Sequence, residues 1–233
     1  MSNESYSRTP WTLDRRMFLG LDEIRRLLDA VRGDGLGRSF PDPAHIVDQL
    51  IIECLLFSGL QTSEFCRLCV ADTIVGTGRS SLMVIGKQAR RREVFVPSHV
   101  SDLIRLYVER IRVRRLPADW TATDLDKALI LNERSRPLTR PTLYRRVSKI
   151  LERHGFGERA SVQLLRHTCG YLSYMMSGSN LLFVQRQLGH AHPMVTAVYA
   201  QFVEEDYAAI ANDIVARLDA RTGGSGDTRS IGK

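Results

Sequence analysis

Three side chains that could take part in a reaction lie within residues 161–202: an arginine, a histidine and a tyrosine. Arg166 lies at the margin of an apolar helical stripe, His190 follows a glycine at a predicted helix end, and Tyr199 closes the next short segment. A guanidinium binds anionic oxygens, an imidazole donates or accepts a proton at neutral pH, and an ionised phenol is a nucleophile. Taken singly, each residue has a structural explanation: an arginine reaching solvent, a histidine at a helix C-terminus and a core tyrosine. Their order and spacing must therefore decide between chemistry and packing.

The motifs around these residues follow one another in a characteristic order. The sequence reads LLFSGLQTSEFCRL, then VIGKQARRREVFVPS, then LLRHTCG and finally QRQLGHAHPMVTAVYAQF. Together these segments resemble the tyrosine recombinase (phage integrase) family over roughly residues 18–215. Each motif alone is weak, whereas the combination in this order is specific.

The resemblance implies a site that cuts and rejoins DNA. Tyr199 matches the family's nucleophile, Arg166 its second arginine and His190 its later histidine. Lys87 matches the lysine on the family's β-hairpin. In this interpretation Tyr199 forms a 3′-phosphotyrosyl link, Arg166 holds two non-bridging oxygens, and His190 donates to a phosphate oxygen. Lys87 protonates the departing 5′-oxygen, and because the link conserves bond energy, the resemblance implies neither a metal nor a nucleotide cofactor.

Two positions depart from the family pattern: its first arginine falls at Gln61 and its first histidine at Gln163. Glutamine forms hydrogen bonds but carries no charge and moves no proton at neutral pH. The lost charge should cost about 10²–10³-fold in rate and the lost acid–base group about 10²-fold, although the two effects need not multiply. His167 projects about 100° away from Arg166 on the helix, and the hairpin arginines would have to swing inward. None of these is a convincing replacement.

The charge balance favours a polyanionic partner. The formal net charge is +7, and 33 residues are lysine or arginine, nearly all of them arginine. A genome rich in arginine codons explains this composition as well as phosphate binding does. With the resemblance, we expect double-stranded DNA as the partner, although a solvated surface is the alternative for each basic cluster. The predicted DNA contacts are Arg90, Arg91 and Arg92 on the hairpin and Arg140, Arg145, Arg146 and Lys149 on one helix.

The elements that must position these residues are mostly helices. Periodicity and capping signals predict helices over 21–32, 44–58, 62–68, 98–115, 139–154, 161–176, 180–188, 193–199 and 203–220. Short strands are predicted over 70–74, 81–86 and 93–97. The expected fold is mainly α with a small three-stranded antiparallel sheet, like the tyrosine recombinase catalytic domain. We expect a flexible N-terminal segment, that domain and a disordered tail over residues 1–18, 19–221 and 222–233, respectively.

Other features narrow the class of protein. Because no apolar run is long enough to span a bilayer and the N-terminus lacks a signal stretch, we expect a cytoplasmic protein. Cys66 and Cys69 lack the second pair that a zinc ribbon needs, so we interpret the four cysteines as buried structural thiols. The apolar stripe of the helix predicted over 203–220 fits packing on its own domain or, as in the family, a homo-oligomer on DNA.

The sequence leaves three hypotheses of function, the last of them a protein-interaction module that keeps only the fold. The first is a recombinase or integrase that performs site-specific strand cleavage and rejoining, impaired by Gln61 and Gln163. The alternative is a catalytically degenerate DNA-binding or architectural protein that keeps the recombinase fold. The family usually carries a further N-terminal domain that clamps DNA, so we expect either a fragment or a protein that relies on partners.

Overall fold

The computed structural model describes residues 12–33, 42–76, 79–86 and 89–203. The chain divides into two compact units, Met1–Ala200 and Gln201–Lys233, and the elements described below lie almost entirely in the first. Lys87 and the helix predicted over 203–220 lie outside the described residues, apart from residue 203. The oligomer contact assigned to that helix therefore stays a prediction.

The described residues are mainly helical, as predicted. Capping residues set the helix ends near the site: Ser161 accepts a hydrogen bond from the backbone of Leu164, and Asn180 accepts one from Phe183. At the other end, Gly59 and Gly189 stop two helices in left-handed conformations with φ of 63° and 68°. The α-helices are α1 (Leu21–Gly33), α2 (Pro43–Ser58), α3 (Thr62–Phe65), α4 (Ser98–Leu106), α5 (Arg140–Arg153), α6 (Val162–Met176), α7 (Leu181–Leu188) and α8 (Pro193–Ala197).

A small antiparallel sheet lies between α3 and α4 in sequence. Its strands run in the order β1-β2-β3, and Leu82 in the central strand pairs with Thr73 on one side and Val94 on the other. Leu82, Val84 and Val94 enter the hydrophobic core, where α2 is buried on almost every side and packs against α1, α4, α5 and α6. The predicted three-stranded sheet is confirmed, with strands β1 (Thr73–Gly76), β2 (Arg79–Ile85) and β3 (Arg91–Phe95).

Several predicted boundaries were wrong. The segment Val70–Asp72 is a 3₁₀ turn rather than the start of a strand, because the Asp72 carboxylate accepts a hydrogen bond from the backbone of Cys69. The helix predicted over 98–115 is regular only to Leu106 and continues as a π turn and a 3₁₀ turn. In this irregular part Arg112, only 1% exposed, donates to the carbonyl of Ala128 at 3.1 Å. The helix predicted over 62–68 ends at Phe65.

Part of the segment expected to be flexible is packed on α6. Residues 12–18 are described, and Leu13 and Phe18 are buried. The Phe18 ring lies 4.5 Å from that of Tyr171, and the backbone of Leu19 donates to Thr168 Oγ1 at 2.9 Å. This segment is therefore anchored to α6 through Thr168 and Tyr171.

The prediction of four buried thiols is confirmed for two of them. All four cysteines are free; Cys54 and Cys169 are buried, whereas Cys66 and Cys69 are partly exposed. Burial raises the pKa of the Cys54 and Cys169 thiols, which makes both unreactive at neutral pH. Within the described ranges, every helix is too short or too polar to cross a bilayer.

Candidate active site

Arg166 on α6 lies at the centre of the candidate site. Its side chain is 6% exposed, and its guanidinium donates to the carbonyls of Gly59 and Leu188, the latter at 2.7 Å. These carbonyls lie at the C-terminal ends of α2 and α7, so one arginine joins three helices. Burial lowers the pKa of Arg166, and the charges of Glu64 and Tyr199 oppose that shift. The group stays a cation with N–H donors left over for a ligand.

Tyr199 follows α8 and is almost fully enclosed. It is 1% exposed, and its phenolic oxygen lies 3.2 Å from Nδ1 of His167. Its ring rests on Gly170, where a Cβ atom would come within 2.2 Å of the Tyr199 Cζ atom. Burial raises the pKa of the phenol well above its usual value, although the Arg166 charge lowers it. In this arrangement the phenol is protonated and shielded from solvent.

His190 lies in the turn between α7 and α8, beside the other two. Its Nδ1 atom is 3.0 Å from the Thr196 hydroxyl, and its backbone carbonyl accepts a bond from Gln185. Burial, and then the charges of Arg166, His167 and Arg92, lowers the pKa of His190 to about 4. The imidazole is therefore neutral at pH 7. The charge of Arg166 acts on both His190 and Tyr199, so the fold brings these three residues together.

The two glutamines face a shared polar cavity. Gln61 is the N-cap residue of α3, and its backbone N–H donates to Glu64 at 2.8 Å. Gln163 lies in the first turn of α6. The cavity has a volume of about 260 Å³, and its charged side chains are Arg166 and Arg140. A cation at position 61 would have pointed into this space. Arg140, which the sequence assigned to the DNA backbone, contributes a second guanidinium to the cavity.

Arg92 is drawn into the site instead of pointing to solvent. Its guanidinium makes two hydrogen bonds to Glu64, at 2.6 and 3.0 Å, and its side chain is 17% exposed. It lies so close to Gly189 that a Cβ atom there would come within 2.8 Å of the Arg92 Cζ atom. Its Nε–H is buried and has no hydrogen-bond partner in the described part of the chain. The sequence predicted Arg92 as a DNA contact and not as a convincing member of the site, and it did not identify Glu64 as its partner.

Removing the Arg92 side chain should destabilise the protein. In Arg92→Ala the Glu64 carboxylate, 5% exposed, loses its cation, and we expect the free energy of unfolding to fall by about 3 kcal/mol. The matched control is Arg91→Ala on the same strand, where the side chain is exposed and a change within about 0.5 kcal/mol is expected. Urea denaturation measures both. Equal stability of the two variants would contradict this assignment.

The same ion pair predicts loss of stability in acid. Burial alone would raise the pKa of Glu64, but hydrogen bonds from Arg92 and the Gln61 backbone hold it below the usual 4.5. Because the folded pKa is depressed, the stabilisation is complete above the unfolded pKa and is lost as the pH falls through the folded one. Arg92→Ala should therefore flatten the acid limb of a stability profile.

The remaining basic residues differ in availability. Arg90, Arg91, Arg140, Arg145 and Lys149 are exposed. Arg146 is instead paired with Asp48 and also donates to the Ala44 carbonyl at 3.1 Å, which ties α5 to α2. Contact between Arg146 and DNA would require this pair to open.

His167 is the site residue that the sequence does not identify. Helix geometry places it about 100° from Arg166, and in the structure its Nδ1 atom meets the Tyr199 hydroxyl. Its other ring nitrogen, Nε2, lies 2.8 Å from Nε2 of Gln163, one helical turn earlier. The four-residue spacing of Gln163 and His167 was visible in the sequence and was the available signal.

The chain belongs to the phage integrase family, whose profile matches residues 17–205. It is 30% identical over 189 residues to tyrosine recombinase XerC of Halalkalibacterium halodurans, with 81% of this chain and 58% of the relative covered. It is 29% identical over 199 residues to XerC of Pelotomaculum thermopropionicum, with 83% of this chain and 60% of that protein covered. The chain therefore spans about three fifths of these curated relatives.

Solved structures show the same fold. The XerH site-specific recombinase bound to its difH substrate in a pre-cleavage complex superposes with a TM-score of 0.67 at 22% identity, covering 90% of this chain and 56% of that one. The XerA recombinase superposes with a TM-score of 0.63 at 20% identity, covering 89% of this chain and 66% of that one. The fold class predicted from the sequence is thereby confirmed.

Proposed function

We propose that this chain binds double-stranded DNA and performs site-specific strand cleavage and rejoining through a 3′-phosphotyrosyl intermediate on Tyr199. The observation that carries the proposal is the cluster of Arg166, His190 and Tyr199, in which Arg166 and Tyr199 are buried and His190 is half-buried. The family membership and the tyrosine recombinases among the relatives support it.

In the proposed reaction, one DNA phosphate occupies the polar cavity beside the cluster. The unused N–H groups of Arg166, together with Arg140, bind the non-bridging oxygens and stabilise the charge of the transition state. The neutral His190 donates one further hydrogen bond. As the Tyr199 oxygen gives its proton to solvent water and bonds to phosphorus, the bond to the 5′-oxygen breaks, and that oxygen takes a proton from a general acid. We assign that role to Lys87 from the family pattern.

The burial of Tyr199 adds a step before chemistry. Its ring is 1% exposed, so a duplex phosphate reaches its oxygen only after the groups that enclose the ring move aside. Gln61 and Gln163 offer hydrogen bonds but no charge in the cavity. We therefore propose that cleavage is about 10²–10³-fold slower than with a cation at position 61.

The test is capture of a covalent protein–DNA adduct. Because the target sequence is unknown, the substrate is a pool of nicked duplexes with a randomised core, from which adducts that survive denaturation are recovered. Wild type should yield an enriched sequence, and Tyr199→Phe should yield none. Tyr174→Phe, a buried tyrosine on α6, is the control and should behave as wild type. Adducts formed equally by Tyr199→Phe would refute the proposal.

A second candidate function is a DNA-binding or architectural protein without strand transfer. One observation favours it: the cavity lacks the charge at position 61, while the phenol of Tyr199 is enclosed and protonated. This candidate predicts DNA binding that falls with salt, no adduct in wild type, and no effect of Tyr199→Phe on binding.

Under either function, the exposed face of α5 should contact the DNA backbone. Arg145→Ala and Lys149→Ala should each weaken binding about equally for all sequences and reduce the slope of log K against log salt by about 0.9. Arg105→Ala on α4, where the arginine is paired with Asp102, is the control and should leave the slope unchanged. Fluorescence anisotropy at several salt concentrations measures the slopes. Unchanged slopes for both α5 variants would exclude this face.

A further inference from the structure

We infer that Gln163 and His167 act as a pair in which His167 donates a hydrogen bond to the Tyr199 phenolic oxygen and so orients the nucleophile. The role of Tyr199 as a nucleophile rests on the proposed function, whereas the hydrogen bonds of Gln163 and His167 do not depend on it. His167 is a positioning residue in this account, since it contacts the tyrosine and keeps its own proton.

The polarity of the pair follows from the atoms that meet. Nε2 of Gln163 lies 2.8 Å from Nε2 of His167, and a side-chain amide nitrogen can only donate. Nε2 of His167 must therefore be the acceptor, and in a neutral imidazole the proton then sits on Nδ1. Nδ1 lies 3.2 Å from the Tyr199 oxygen, so its N–H donates to that oxygen. A donor placed there favours the phenolate over the phenol.

The surroundings keep His167 neutral. It is 7% exposed, and burial followed by the adjacent Arg166 charge lowers its pKa to about 4. The charge of His167 would in turn lower the pKa of His190. On its far side, Asp14, Arg16 and Arg159 line a cavity of about 600 Å³ that also reaches Gln163. If the imidazole were protonated, its Nε2–H would face the amide N–H of Gln163, and two hydrogen-bond donors would meet.

Gly170 makes the contact possible. Any Cβ atom at that position would overlap the Tyr199 ring, at 2.2 Å from Cζ and 2.5 Å from the oxygen. The ring can thus reach His167 only over a glycine, one turn along α6 from Arg166. Two adjacent residues of α6 therefore have different roles in one site. Arg166 binds the helix ends beside the phosphate cavity, and His167 holds the tyrosine.

The direct test is the tautomer of His167, read without DNA. In histidine ¹⁵N-labelled protein, two-bond ¹H–¹⁵N spectra distinguish Nδ1–H from Nε2–H, and His167→Gln assigns the signals. We expect Nδ1–H in wild type and a shift towards Nε2–H in Gln163→Ala. An Nε2–H tautomer in wild type would overturn the inference.

The activity arm separates a positioning role from a structural one. The amide nitrogen of asparagine can occupy the place of Nδ1, whereas that of glutamine reaches the place of Nε2. We expect His167→Asn to retain most adduct formation and His167→Gln to lose about tenfold, the loss of one hydrogen bond. Equal losses would overturn the inference. If the tautomer is as expected but wild type forms no adduct, the hydrogen-bonded pair is supported and the proposed function fails. If wild type forms adducts but His167 carries its proton on Nε2, the proposed function is supported and the inference about the pair fails.

Discussion

Arg166→Ala should abolish strand cleavage and lower the free energy of unfolding by about 2–4 kcal/mol. Two effects combine in this one side chain. The guanidinium satisfies the carbonyls of Gly59 and Leu188, and both lose their partner inside the protein when it is removed. The same group is the cation whose charge acts on Tyr199, so the proposed transition state loses its main charge contact.

Arg166→Lys separates these two effects. The ammonium restores the positive charge, but it lacks the planar fork that reaches two carbonyls and a phosphate at once. We expect stability between those of wild type and alanine, with cleavage at least about 10²-fold below wild type. Urea denaturation and adduct yield measure the two quantities. An alanine variant as stable as wild type would show that Arg166 does not join α2, α6 and α7 as described.

Gln61→Arg should raise the rate of adduct formation by about 10²–10³-fold. The side chain at position 61 lines the cavity that also contains Arg166 and Arg140, so a guanidinium there would contact the same phosphate. Three arginines near one cavity repel one another, and we expect a loss of stability of about 1 kcal/mol when DNA is absent.

Ser63→Arg is the matched control for this gain. Ser63 lines the same cavity, so the variant adds the same charge at a position without a family counterpart. It should strengthen DNA binding while raising the cleavage rate by less than about tenfold. Single-turnover kinetics with a saturating nicked substrate measures the difference. Equal gains in both variants would mean that general charge, and not the geometry at position 61, limits the reaction.

The sequence predicted those parts of the fold that depend on local signals. The ends of α6 and α7 follow from Ser161, Asn180 and Gly189, whose preferences act within one turn. The irregular stretch after α4 did not follow, because Tyr107 and Arg112 bond to a segment about twenty residues further along the chain. Burial of Phe18 was missed for the same reason, since its partner Tyr171 is remote in sequence.

The sequence likewise predicted some residues of the candidate site and missed others. The convergence of Arg166, His190 and Tyr199 could be anticipated from motif order. The inward position of Arg92 could not, because it depends on Glu64 at a separation of 28 residues. His167 could not be identified as a site residue, because helix geometry gives its direction but not the residue that it meets; Tyr199 is 32 residues away.

We propose above all that Tyr199, which lies beside Arg166, is the nucleophile that becomes covalently joined to DNA. The most direct measurement is the site of the covalent link, found by digesting the purified adduct with protease and nuclease and sequencing the nucleotide-bearing peptide by mass spectrometry. The account predicts a nucleotide attached through a 3′-phosphate to Tyr199. A link at any other residue, or a wild-type protein that binds its selected DNA and never becomes attached to it, would contradict the account.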